Sequence, residues 1–381
     1  MVPFSVEAPS VMHFGNGMLE WLPHVAQALG NRVLMISGNR WLSSSPWRAQ
    51  IEAGLGGVPF EWWRCPPEEP SIRSLAAASR EAVRFGPEVI VAVGGGSVLD
   101  TAKALSILLR YPGPPERFLE GVEGSIPVPA RGIPWVAVPT TAGTGAEVTK
   151  NAVIRSDALG MKRSMRSVFL LASAVIVDPL LTVALPLGVT GTSGLDALTQ
   201  LVESYVSRTS NPFVRSLVEG AFAGMLEALQ RLPDDPTNAE LRAHACYGAT
   251  ISGIALANAG LGAAHGLAAS IGGAFEVPHG LACAVFLPHV LEANAAVIRE
   301  DLSRLLGRMM PEGPGGDPAA WLASEVRRLL ARFGLPSDLR GFCIPRDRLR
   351  EIAEKASGAS MKGNPRELPI EERMDILSRV T

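Results

Sequence analysis

The chain has 381 residues, too many for one compact core, so two domains are expected. Hydrophobic residues make up 47 % and charged residues 19 %, and the formal net charge is −2. That balance excludes a basic field for nucleic acid and a polybasic arm for an anionic membrane. Four cysteines, Cys65, Cys246, Cys283 and Cys343, lie far apart with no CxxC spacing. They read as free thiols rather than a disulfide framework. The first residues, "MVPFSVEAPSVMHFGNG", show no basic segment followed by an apolar run, so no signal peptide is expected. A cytoplasmic protein fits these features.

In chain order, apolar runs at Val33–Ile36, Val89–Val93, Trp135–Val138 and Val175–Val177 read as strands buried on both faces. Helical patterns at Ile72–Phe85 and Leu99–Leu109 lie between them. Strand–helix alternation predicts a mainly parallel α/β sheet. After Asp178-Pro179 no further strand is predicted. Val218, Phe222, Met225, Leu229 and Leu232 form one stripe of an amphipathic helix. Similar patterns cover Leu302–Met309 and Trp321–Phe333, with a loop at Met310–Pro318. The segment Ala243–Phe275 carries no charged residue and is long enough to span a bilayer. Its Gly, Ala and Ser content, with His244, Asn258 and His265, reads instead as a closely packed helical core. The expected division is an α/β domain over residues 1–185 and an all-helical domain over residues 186–381.

The strand "VIVAV" runs into "GGGSVLDTAKAL". Glycines at the carboxyl end of a buried strand, followed by a helix, suit a phosphate. The motif is neither GxGxxG nor a Walker A loop. A tight turn capped by Ser97 and Asp100 is the alternative. A second loop, "PTTAGTGAEVTKNAV", sets Thr140, Thr141 and Thr144 beside Gly143 and Gly145, again after a strand. Ligands of open α/β sheets bind at that edge, and two such loops suit a dinucleotide.

The six histidines are His13, His24, His244, His265, His279 and His289. His265 and His279 lie in "GAAHGLAASIGGAFEVPHG", a nearly charge-free region. Asp196 and Gln200 share one face of the apolar helix "SGLDALTQLVESYV". A lone histidine in such surroundings reads as a core residue. With Asp196, the two histidines read as a three-ligand set for Zn²⁺ or Fe²⁺. Glu203 reads as a pairing residue rather than a ligand.

Six segments together, "GGGSVLDTAKA", "PTTAGTGAEVT", "VIVDPLLT", "GLDALTQLVESYVS", "AAHGLAASIGGAFEVPHG" and "NPRELPIEE", resemble the iron-containing (group III) alcohol dehydrogenases, in the family's order and over nearly the whole chain. The resemblance implies a dehydroquinate synthase-like architecture: an NAD(P)-binding α/β domain, a helical domain, and an active site in the cleft between them. It implies alcohol oxidation or aldehyde and ketone reduction with a metal on the substrate oxygen. Small-molecule alcohols or aldehydes would be the substrates, and a homodimer the assembly.

Carried over by residue, the resemblance places Gly95, Gly96 and Ser97 on the pyrophosphate and Asp100 near the nicotinamide. Thr140, Thr141 and Thr144 would line the adenine and phosphate side. Asn151 and Lys162 would sit near the nicotinamide ribose, and Leu181 would cover the adenine. Asp196, His265 and His279 match metal positions. The chain departs from the family where a fourth histidine ligand is replaced by Gln200, and where another histidine is replaced by Ala269. Gln200 offers a neutral, weaker donor, so either a weakened metal site with Gln200 turned toward substrate or water, or a metal-free reductase, is expected. Ala269 leaves no named proton donor.

Gly38 stands where NAD-preferring members carry an acidic residue, and Asn39, Arg40, Ser43 and Ser44 follow. That favours NADP(H). The function expected is an NAD(P)-dependent alcohol dehydrogenase. A metal-independent keto-acid reductase resembling maleylacetate reductase, or a nucleotide-binding protein without catalysis, are the alternatives.

Overall fold

The computed structural model describes residues 3–67, 69–156, 161–272, 275–313 and 315–381; the side chains of Arg40 and Ser44 lie outside what it describes. The chain divides into two compact units. One comprises Glu7–Thr141 and Ala146–Thr182, and the other holds Val183–Thr381 with Ala142–Gly145 and a short N-terminal stretch.

The first unit is built on strands β1 (Met12–Phe14), β2 (Val33–Gly38), β3 (Phe60–Cys65), β4 (Val89–Gly94), β5 (Trp135–Pro139) and β8 (Ala174–Val177). They form one parallel sheet in the order β1-β8-β5-β4-β2-β3. The four strands read from the sequence are the four inner ones. Their Val, Ile and Met side chains, such as Val33, Met35, Val91 and Val136, are fully buried. Each such burial contributes about 1.5–3 kcal/mol. β1 and β3 were not predicted. β1 has only three residues. β3, "FEWWRC", is an edge strand whose Glu61 and Arg64 are exposed, so no continuous apolar run marks it. A separate antiparallel pair, β6 (Asn151–Ser156) and β7 (Met161–Arg166), was also missed because its residues are largely polar.

Helices α1 (Leu22–Gln27), α2 (Asn39–Ser44), α3 (Trp47–Gly54), α4 (Ile72–Phe85) and α5 (Gly96–Arg110) accompany the sheet. α4 spans the predicted residues, capped by Ser71, whose hydroxyl accepts from Ser74 N–H. Gly86, at φ +66°, ends it in the left-handed conformation. The chain runs from β2 out to β3 and then returns to the other side of β2 as β4. That reversal, at the carboxyl ends of β2 and β4, is where open α/β sheets hold ligands.

The second unit is helical: α6 (Leu187–Val206), α7 (Pro212–Arg231), α8 (Ala239–Ala259), α9 (Ala263–Gly272), α10 (His279–Gly307), α11 (Pro318–Arg332), α12 (Leu349–Lys355), α13 (Ala359–Gly363) and α14 (Ile370–Val380). No strand occurs among its described residues. The stripe Val218, Phe222, Met225 and Leu229 is the buried face of α7. Every residue of α6 from Gly194 to Val206 is buried, as for a helix surrounded by others. The charge-free segment is not one helix: α8 and α9 meet at a 96° bend. α10 is long and apolar enough to cross a bilayer, but 67 % of its most apolar window is buried within the protein.

Candidate active site

A buried helix that carries Asp196, Gln200 and Glu203 must give each polar group a partner. Glu203 receives two. Its Oε1 accepts from Ala264 N–H at 2.7 Å and its Oε2 lies 2.7 Å from His265 Nδ1. Gly262 makes room for this carboxylate, since a Cβ there would lie 2.7 Å from Glu203 Oε1. Glu203 is thus the pairing residue that the sequence suggested.

The hydrogen bond fixes the imidazole. With Nδ1 donating its proton to Glu203, Nε2 carries a lone pair. That nitrogen faces Asp196 Oδ1 at 3.3 Å. Both atoms are buried and neither has a hydrogen-bond partner among the described residues. In the neutral ring these are two acceptors facing each other in a dry site, which is destabilising unless a cation, either a proton on Nε2 or a metal ion, lies between them.

The third group comes from α10. His279 is its first residue, and its Nε2 lies 4.0 Å from Asp196 Oδ1. Gly280 permits this approach, because a Cβ there would come within 2.4 Å of the Thr192 carbonyl oxygen on α6. The rings of His265 and His279 are tilted at 59° with centroids 5.5 Å apart. His279 is 39 % exposed, so the cluster opens on its side, while Asp196 and His265 are enclosed.

Cys283, one turn along α10, completes the group. Its sulfur lies 3.6 Å from His279 Nε2. Single donor atoms from Asp196, His265, His279 and Cys283 all lie within 4.8 Å of one another. From the sequence alone Cys283 reads as an ordinary buried thiol. The His279-x-x-x-Cys283 spacing, which puts both on one helix face, was the available signal.

The electrostatics favour positive charge here. Burial works against charging His265, but the Cys283 sulfur, Asp196 and Glu203 outweigh it and hold the imidazole well above its usual value. The Cys283 sulfur, with help from Asp196, pushes His279 up to about 8. Burial alone would raise Asp196, yet the imidazoles keep its carboxyl below the usual range. Orphaned lone pairs, a nitrogen–oxygen donor set and this demand for a cation together fit a divalent metal.

Gln200 shares the buried face of α6 with Asp196, and its Oε1 accepts from the Ser252 hydroxyl at 2.8 Å. Ala269, where the proton-relay histidine was expected, is exposed on α9.

In the sheet unit, Gly38, Gly95, Gly96, Ser97, Thr140 and Thr141 lie at the carboxyl ends of three adjacent parallel strands. Ser37 pairs with Val93 in the ladder, Gly94 pairs with Pro139, and Thr140 N–H donates to the Gly94 carbonyl. α5 begins at Gly96 with no side-chain cap, leaving its first amides free of one. Ser97 and Asp100 therefore do not cap the helix, against that alternative. Asp100 instead accepts from Lys103 Nζ and from Val153 N–H, each at 3.0 Å. Lys103, fully buried, also donates to Thr149 and to the Asn151 carbonyl, tying α5 to β6. The side-chain oxygen of Asn151 is buried without a partner.

Lys162 pairs with Glu69 at 2.7 Å and sits opposite Arg155, four ladder positions from Asn151. That ladder separation is roughly 13 Å along the hairpin. Leu181 is packed into the sheet's core. Thr144 belongs to the stretch that clusters with the helical unit.

The chain matches the family described as iron-containing alcohol dehydrogenase over residues 9–179, and that family's C-terminal region over residues 190–381. It is 34 % identical over 334 residues to the probable alcohol dehydrogenase EutG of Escherichia coli (strain K12), across 87 % of this chain and 82 % of that one. It is 30 % identical over 376 residues to the 1,3-propanediol dehydrogenase of Klebsiella pneumoniae, across 95 % of each. The solved 1,3-propanediol oxidoreductase superposes with a TM-score of 0.91 at 27 % identity, over the whole of both chains. The chain belongs to the iron-containing alcohol dehydrogenase family and is an NAD(P)-dependent oxidoreductase acting on CH–OH groups.

Proposed function

We propose that this enzyme interconverts small alcohols with aldehydes or ketones, using a divalent metal held by Asp196, His265 and His279 and a cofactor that is preferentially NADP(H). The observation that carries the metal reading is the pair of orphaned acceptors, Asp196 Oδ1 and His265 Nε2, at 3.3 Å. Residues 1–185 bind the cofactor in this reading, and residues 186–381 bind metal and substrate.

When bound, the metal supplies Lewis-acid stabilisation of alkoxide character on the substrate oxygen. A bound nicotinamide cofactor would supply the hydride chemistry. The chain's own residues do the rest. Asp196 and the two imidazoles present lone pairs to one point. Glu203 locks the His265 tautomer and ring orientation. Gln200, its amide oxygen engaged by Ser252, offers its amide N–H groups to substrate or water.

The amides at the start of α5, around Gly95, Gly96 and Ser97, would hold the pyrophosphate. Asp100, Thr140 and Thr141 would line the rest of the cofactor. Asn151, with its unpartnered oxygen, would accept from a ribose hydroxyl, and Lys162 lies farther along the same hairpin. The absence of a carboxylate at Gly38 leaves room for a 2′-phosphate. Four free cysteines support work in the cytoplasm, and a homodimer follows from the family expectation.

The test is a panel of aldehydes and alcohols read by NADPH absorbance, with metal analysis after gentle purification. Activity lost to a chelator and restored by Fe²⁺ or Zn²⁺ is the expected result. Less than about a tenth of an equivalent of metal, with turnover indifferent to chelator, would overturn it.

A further inference from the structure

We propose that Cys283 is a fourth protein ligand to the metal, so that the donor set is Asp196, His265, His279 and Cys283, and the site prefers Zn²⁺ to Fe²⁺. This rests on the metal reading above and adds the ligand that Gln200 does not supply.

Three observations carry it. The Cys283 sulfur is one of four donor atoms mutually within 4.8 Å, contributed by α6, α9 and α10. His279 and Cys283 stand four apart on α10, so one helix face presents both. Two of the separations also match a tetrahedral ion, and a third, Asp196 Oδ1 to His279 Nε2, is longer at 4.0 Å. Bond lengths of about 2.1 Å to nitrogen or oxygen and about 2.3 Å to sulfur put N and O donors roughly 3.4 Å apart, and N and S donors roughly 3.6 Å apart. Asp196 Oδ1 lies 3.3 Å from His265 Nε2, and Cys283 Sγ lies 3.6 Å from His279 Nε2.

Gln200, four residues after Asp196, has its amide oxygen committed to the Ser252 hydroxyl. The change from imidazole to amide on α6 is thus offset by a thiolate on α10. A thiolate is a softer donor, and soft donors favour Zn²⁺ over Fe²⁺ beyond the general affinity order. Binding releases the thiol proton to solvent. The rival account of the 3.6 Å contact is a thiol hydrogen-bonded to His279 with no sulfur–metal bond.

Cobalt(II) distinguishes them, because only a thiolate ligand gives it an intense near-ultraviolet sulfur-to-metal charge-transfer band. The full-length apoprotein is titrated with Co²⁺ anaerobically, followed by absorbance and metal analysis. The expected result is one equivalent bound with the band. The band should persist when Cys65, Cys246 and Cys343 are all serine, leaving Cys283 the sole cysteine. In Cys283→Ser the band disappears, Co²⁺ is still taken up at least about tenfold more weakly, and the preference for Zn²⁺ over Fe²⁺ narrows.

Wild-type Co²⁺ uptake without the band, or a band that survives in Cys283→Ser, overturns the Cys283 assignment and leaves the Asp196–His265–His279 site standing. No uptake of Co²⁺ or Zn²⁺ by the wild type overturns both. Should Cys283→Ser not fold, the wild-type and triple-serine spectra still decide.

Discussion

His265 donates its Nδ1 proton to Glu203 across 2.7 Å, and this bond decides which nitrogen is left to face Asp196. The carboxylate orients the ring and fixes its tautomer without itself lying in the donor cluster. Glu203→Gln keeps the shape but can present an amide N–H where the acceptor was. Metal affinity should fall about 10–100-fold, measured by competition with a chromophoric chelator. Unchanged affinity would show that the bond is only structural.

Asp196 supplies the one anionic oxygen that both imidazoles approach. Asp196→Ala should lower bound metal below about a tenth of an equivalent and reduce kcat/KM by at least about a thousandfold, roughly 4 kcal/mol of transition-state stabilisation. Binding of NADPH, followed by its fluorescence, should be little altered. Loss of cofactor binding together with metal would point to misfolding instead.

Cofactor choice turns on Gly38. Its φ of −70° suits any residue, and among the described residues a Cβ there would meet only Val98, at 3.9 Å. Gly38→Asp should therefore be accommodated and should place a carboxylate at the carboxyl end of β2. The kcat/KM ratio of NADPH to NADH should drop at least about tenfold, equivalent to about 1.4 kcal/mol. A wild-type enzyme that already favours NADH would refute the NADP(H) assignment.

Gly94 ends β4, and a Cβ there would lie 2.6 Å from the Val98 side chain in the first turn of α5. Gly94→Ala must push the helix start away from the strand. A loss of about 1–3 kcal/mol in stability is expected, with weaker NADPH binding, because the same amides are displaced. Urea denaturation and fluorescence titration measure the two effects separately.

Glu325 gives a pH-dependent prediction away from the site. Burial works to raise its pKa, but Arg328 and Gln230 outweigh it and lower it. A carboxyl held below its unfolded value, about 4.3, stabilises the fold above that pH. The contribution is lost as pH falls through the lower folded value. Glu325→Gln should cost about 1–2 kcal/mol at pH 7 and much less in acid, read from urea midpoints at both. An equal cost at both pH values would remove charge from the explanation.

The four inner strands were legible because burial on both faces demands unbroken apolar runs, and Val33–Gly38 or Val89–Gly94 can hardly be anything else. Edges carry no such demand. β3 exposes Glu61 and Arg64 without a regular alternation and β1 is three residues long, so local pattern could not mark either. Asp196, His265 and His279 were legible because a carboxylate and two imidazoles are costly in apolar helices without a partner.

Cys283 is legible only through its four-residue spacing from His279, since a lone cysteine in an apolar helix looks like any small core residue. Nor could sequence distances show that Lys162 and Asn151 sit four ladder positions apart, or that Lys103 would cross-link α5 to β6. By itself the sequence determined the periodicities, and hence the sheet, the helices and the kinds of donor available. Which donors converge was decided only by the tertiary structure, because α6, α9 and α10 bring together atoms that the chain separates by as many as 87 residues, from Asp196 to Cys283. Glycines at 262 and 280 let those backbones close to that distance, and their purpose shows only when the neighbour they admit is in place.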